Sequence, residues 1–244
     1  MTTHTSSPTI LLIAGHWLGA WAWDEVAAEL TTLGHRPVPL TLPGLDGDDP
    51  ERCGRTLDDQ VAAIEAAVRA AGEEGTAPVV VAHSGANAPV SVALDRHPGS
   101  ISHVVWVDSG PVTPGTTPAP DLPEGVAEVP LPPFDVLGAQ ASLDGLDAAT
   151  LARFRARSVP QPAAAIRTPV ALTDDARRHV PTTLVCCSIS GEQVHQLASG
   201  GHPMFAEVGR LTNVDVVDLP TGHWPMWSRP ADLARVVADV AACP

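Results

Sequence analysis

Six short apolar runs recur along the chain, separated by stretches in which apolar residues return every three or four positions. The runs are TILLIAG from Thr9, RPVPLTLPG from Arg36, APVVVAHS from Ala77, ISHVVWVD from Ile101, TTLVCCSI from Thr182 and VDVVDLP from Val214. Continuous apolar runs of this length suit strands buried on both faces of a parallel sheet. Between them, WDEVAAELTTLG has the spacing of an amphipathic helix closed by Gly34, and LDDQVAAIEAAVRAAG that of a second helix capped by Thr56 and Asp59. A further helix is expected from about Gly85, and PADLARVVADVAA reads as the last. Strands alternating with helices predict an α/β fold, a mostly parallel central sheet with helices on both faces. The alternation breaks between Ser109 and Pro181, a stretch that holds twelve of the chain's 25 prolines and one weakly helical segment, DAATLARFRARS. This reads as a small cap inserted at approximately 110–180 into a single domain spanning 1–244. No internal repeat is present.

Composition removes several classes of chemistry. The formal charge is −14, and every one of the fourteen basic residues is arginine. An acidic surface disfavours nucleic acid and anionic membranes as partners. The lack of lysine excludes Schiff-base chemistry and a P-loop. Cys53, Cys186, Cys187 and Cys243 have neither a disulfide-framework spacing nor a zinc spacing, which predicts a reducing compartment. The opening MTTHTSSPTI has no signal-peptide pattern, and no apolar run reaches membrane-spanning length. The expectation is a cytoplasmic protein acting on a small molecule without metal or organic cofactor, its oligomeric state open.

One serine stands out. Ser84 ends the third apolar run inside Ala82-His83-Ser84-Gly85-Ala86, a small-x-Ser-x-small pentapeptide at the carboxyl end of a parallel strand, where open α/β sheets place their ligands. Small outer residues are what a sharp strand-to-helix turn requires if it is to lift a serine hydroxyl clear of the sheet. The amide of Gly85, opening a helix, would then face a developing oxyanion. A serine that merely caps the helix is the simpler alternative. Of the ten histidines, His223 lies in a Gly-preceded loop just after the sixth strand, from which it can serve as general base. Gly15-His16 ends the first strand, so the His16 amide can supply a second oxyanion donor. Trp17 and Trp224 are expected to line an apolar pocket, and Trp21 and Trp23 to pack in the core.

These stretches, GHWLGAWAWDEVAAELTTLGHRPVPLTLPG, AHSGA and LPTGHWPMWSRPADLA, resemble the α/β-hydrolase superfamily over nearly the whole chain apart from the cap. The resemblance implies acyl transfer: attack by Ser84, a covalent acyl-enzyme, and hydrolysis by water activated by His223. The usual opening His-Gly is Ala14-Gly15 here. The usual acid, after the first strand beyond the cap, is also absent, and Glu192 is the nearest carboxylate there. In enzymes similar to zearalenone lactonases the acid instead ends the strand after the nucleophile helix, which corresponds to Asp108. Asp108 also should emerge at the same sheet edge as Ser84, so it is the expected partner of His223, with Glu192 the alternative. The implied activity is a serine esterase or lactonase for a small, fairly apolar substrate. A hydroxynitrile lyase is a rival because GAWAW resembles plant lyases, although the lyase lysine is missing and Gly15 stands where they carry threonine. A non-catalytic ligand receptor on the same fold is another. His83 and Asn87 are expected to be local packing residues, His195 and His202 to be surface residues, and Arg153, Arg155 and Arg157 to lie on a solvated helix.

Overall fold

In the computed structural model the residues described are 7–73 and 75–242; the MTTHTS start and Cys243 lie outside them. The strands are β1 (Thr9–Ile13), β2 (Arg36–Leu40), β3 (Val79–His83), β4 (His103–Val107), β5 (Glu128–Val129), β6 (Gln161–Pro162), β7 (Thr182–Cys186) and β8 (Val214–Asp218). The helices are α1 (Asp24–Thr32), α2 (Leu57–Gly72), α3 (Asn87–Arg96), α4 (Phe134–Gly138), α5 (Ala148–Arg157), α6 (Ala163–Arg167), α7 (Gly191–Ser199), α8 (Pro225–Ser228) and α9 (Pro230–Ala242). Six strands form one sheet in the order β2-β1-β3-β4-β7-β8, every neighbouring pair parallel. All six apolar runs are therefore strands of a single α/β layer structure.

Successive side chains of a strand point to opposite faces, so each strand feeds two cores. Leu11, Ile13, Val80, Ala82, Val104, Trp106 and Leu184 join Val61 and Ile64 of α2, Val90 and Leu94 of α3 and Val194 of α7. Ile10, Leu12, Val79, Val81, Val105, Val107 and Val185 join Val26 and Leu30 of α1 and Leu233 and Val237 of α9. Burying each such side chain contributes roughly 1.5–3 kcal/mol before entropy is counted. Thr56 and Asp59 cap α2 reciprocally, as their spacing predicts.

Segment 110–180 holds a two-stranded antiparallel ribbon, β5 with β6, and helices α4 to α6. It is tied to the sheet's carboxyl edge by main-chain bonds: Val159 N–H donates to Trp17 O (3.0 Å) and His223 N–H to Ser142 O (2.7 Å). At its far end, Asp95 of α3 accepts from the amides of Thr173 and Asp174 and from Arg177, which also pairs with Glu207. All three charged side chains are buried. The arginines of α5 are not simply solvated. Arg153 pairs with Glu25 (2.8 Å), Arg155 donates to Leu131 O and Pro132 O and lies over Phe134, and Arg157 lies over Trp21. Such planar cations cover aromatic faces as well as carrying charge, which pins α5 to α1 and to its own segment. Among the described residues no helix is long and apolar enough to cross a membrane.

Candidate active site

Trp17, Ser84 and Asp108 are the non-glycine residues with positive φ among the described residues, at 66°, 51° and 43°. Each follows closely on the carboxyl end of a neighbouring strand: β1, β3 or β4. Left-handed backbone is costly for a side chain with a Cβ and persists only where surrounding contacts over-determine it. At Ser84 the strand turns directly into a 3-10 turn that leads into α3. A Cβ built on Gly15 would lie 2.8 Å from Ser84 Cβ and 2.9 Å from Gly85 N, so glycine at 15 is what lets the first turn abut the second. A Cβ on Gly85 would strike the His16 ring, so the residue after Ser84 is kept to glycine by a side chain and not only by the turn.

Ser84 Oγ lies 2.8 Å from His223 Nε2, and His223 Nδ1 lies 2.5 Å from Asp108 Oδ2. A carboxylate only accepts, so the proton sits on Nδ1 and Nε2 is free to accept from the serine hydroxyl. Burial alone would raise the Asp108 carboxyl, but the hydrogen bond and positive potential of His223 and the Ser188 donors hold it down to about 2. Oδ1 accepts from the amides of Cys187 (3.0 Å) and Ser188 (2.8 Å), and Oδ2 from Ser188 Oγ (2.7 Å). The run TTLVCCSI therefore stops being a strand at Cys186, because its last amides turn to this carboxylate. Glu192, the alternative acid, is exposed on the first turn of α7 and accepts from Gln196.

The His223 backbone is held on both sides. Its N–H donates to Ser142 O, and its carbonyl accepts from His83 Nε2 at 2.7 Å. Gly222 permits this approach: a Cβ there would lie 2.5 Å from Asp144 O. His83 is thus more than local packing. Burial, then the nearby His223, lowers its pKa to about 3, so it is a neutral donor with its Nδ1 left without a partner. Burial, then His223, likewise lowers His16 to about 4. Asn87 also reaches beyond its neighbourhood, donating to Gly110 O (3.2 Å) and fixing the chain that follows Asp108.

The two tryptophans expected to line a pocket also make structural contacts. Trp17 spends its indole N–H on Val129 O (3.0 Å) and its carbonyl on Val159, bracing the strained turn against the β5–β6 ribbon. Trp224 is buried, edge-on to His223 at 4.9 Å between ring centroids and against Phe154. Neither lines the recess beside Gly85, which is walled by residues such as His16, Leu42, Ala86 and Gln161. Trp17, half-buried, is held where its N–H finds an acceptor, and Trp224, buried, is enclosed by other rings. Ser188, His83 and Gln161 escape a reading by motif: a strand-end serine, a histidine beside Ser84 and a glutamine in segment 110–180 carry no spacing signal. His195 and His202 are exposed, and among the described residues no cluster of three His, Cys, Asp or Glu could hold a metal.

Comparison with known proteins agrees with this architecture. The model of the Alpha/beta hydrolase family matches residues 10–236. Esterase PIR7B of Oryza sativa subsp. japonica is 31% identical over 105 residues, 42% of this chain and 39% of that protein, so the match spans about two-fifths of the relative's length. An extracellular α/β-hydrolase from a Paenibacillus species, itself similar in structure and function to tobacco salicylic acid binding protein 2, superposes with a TM-score of 0.75 at 18% identity, covering 95% of this chain and 98% of that one. Tomato methylketone synthase I in complex with 2-tridecanone superposes with a TM-score of 0.73 at 16% identity over 97% and 98% of the two chains. With the family model spanning nearly the whole chain, the protein belongs to the α/β-hydrolase family.

Proposed function

We propose that the protein is a serine hydrolase that cleaves a carboxylic ester or lactone of a small, fairly apolar molecule through an acyl-enzyme. The observation that carries this reading is the hydrogen-bonded chain from Ser84 Oγ through His223 to Asp108, with spacings of 2.8 and 2.5 Å. His223 Nε2 takes the Ser84 proton as Oγ attacks the carbonyl carbon, and the resulting imidazolium is stabilised by the Asp108 carboxylate. The oxyanion is received by the amides of His16 and Gly85, on two turns that Gly15 holds in contact. His223 then gives the proton to the leaving oxygen, and a water activated by the same nitrogen releases the acid. Residues 110–180 act as a cap over the site, anchored through Trp17 and His223.

A panel of p-nitrophenyl esters and lactones tests the proposal. Turnover that is lost in Ser84→Ala and unaffected by chelators supports it. Cleavage of cyanohydrins without ester turnover would favour the lyase reading, and tight ligand binding without turnover would favour a receptor.

A further inference from the structure

Beside the nucleophile turn lies a narrow recess with interior room of about 10 Å³, enough for one water-sized group. It shares His16 and Gly85 with the turn, and Gln161, from β6, closes it. Gln161 is 2% exposed, and its Oε1 is buried without a hydrogen-bond partner. A buried amide oxygen left unpaired is costly, so it is a standing demand for a donor. The rest of the wall has no charged side chain: Leu42, Leu45, Ala165 and Ile166 are apolar, and the second amide there, Gln60, already donates from Nε2 to Pro43 O. An ionised group would find no counter-charge there, whereas a hydroxyl can donate to the Gln161 carboxamide and accept from it. His223 does not line the recess. Because the leaving oxygen must stay close to His223 to be protonated, a group seated in the recess belongs to the acyl part of the substrate.

We infer that Gln161 is a specificity-determining residue that holds an uncharged hydroxyl on a short acyl chain, which makes esters or lactones of small hydroxy acids the favoured substrates. The inference rests on the esterase reading above and narrows it to a substrate class. A polar site of this kind should penalise the analogue that lacks the hydroxyl, because binding it leaves the buried amide unpaired.

The test compares kcat/KM for p-nitrophenyl 3-hydroxybutyrate, both enantiomers, and p-nitrophenyl butyrate in the wild-type protein and in Gln161→Met, which keeps the side chain's length. The wild type is expected to favour one hydroxylated ester by about tenfold or more. Gln161→Met should erase that preference, slowing the favoured hydroxylated ester about tenfold more than it slows butyrate. Equal wild-type rates on all three esters would overturn the inference whether or not the variant folds. So would a variant that keeps the preference, or one that slows all three esters equally, the mark of a purely structural glutamine. Each of these outcomes leaves the esterase reading standing. If no ester is turned over and a fluorophosphonate fails to label Ser84, the esterase reading falls and takes this inference with it.

Discussion

The ring of His83 donates from Nε2 to the backbone carbonyl of His223 across 2.7 Å. The residue that precedes Ser84 thereby fixes the loop that carries His223, although the two histidines are 140 positions apart. His83→Phe keeps the ring's bulk and removes the donor. It should lower kcat roughly 10- to 100-fold, as small misplacements of catalytic groups do, with KM little changed. Steady-state kinetics on a p-nitrophenyl ester checks this; an unchanged kcat would show that the Ser142 contact alone positions His223.

The same ring makes stability depend on pH. His83 titrates near 3 in the fold against 6.5 when unfolded, so the unfolded chain binds the extra proton between those values. Stability is therefore complete above pH 6.5 and falls as the pH drops toward 3, on the order of 1 kcal/mol per pH unit. The Asp108 carboxyl, held at about 2, adds a further loss only below its ordinary value of 3.8. Urea midpoints at about pH 7 and about pH 5 should separate in the wild type and separate by less in His83→Phe, where His16, held at about 4, still contributes a loss of the same sign.

Asp108→Asn should lower kcat by roughly 10³ to 10⁴, because an amide neither fixes the His223 tautomer nor stabilises the imidazolium. Ser188→Ala removes one donor to the carboxylate and should cost about tenfold or less. Glu192→Gln should leave kcat within about twofold, since Glu192 is bonded to Gln196 and makes no bond to the His223 ring. Comparing the three variants on one ester ranks the carboxylates directly; a larger effect at Glu192 than at Asp108 would reverse the assignment.

Much of this arrangement was legible in the sequence because period and position encode it. The six strands follow from their apolar runs, and Ser84, Asp108 and His223 from their places at strand ends. What escaped was set by contacts across long separations. At Trp17 and Trp224 nothing in the sequence hints that Val129 O accepts from one indole and that His223 and Phe154 enclose the other. Ser188 gives no signal, because its role exists only once β7 has been laid beside β4.

Gly15→Ala should be more damaging than its size suggests. The added methyl would sit 2.8 Å from Ser84 Cβ, pushing apart the turns that bear the His16 and Gly85 amides. Loss of one oxyanion donor typically costs about 10²- to 10³-fold in kcat, and a fall of that size is expected, together with a lowered thermal midpoint from the overpacked turn. A normal kcat in Gly15→Ala would mean that the two amides do not act together.

The central assignment is Ser84 as a nucleophile activated by His223, and intact-protein mass spectrometry after exposure to a fluorophosphonate tests it most directly. The wild-type protein should gain a single adduct that peptide mapping places on Ser84, His223→Ala should label far more slowly, and Ser84→Ala should not label at all. An adduct that persists in Ser84→Ala, or a wild-type protein that hydrolyses esters while remaining unlabelled, would contradict it.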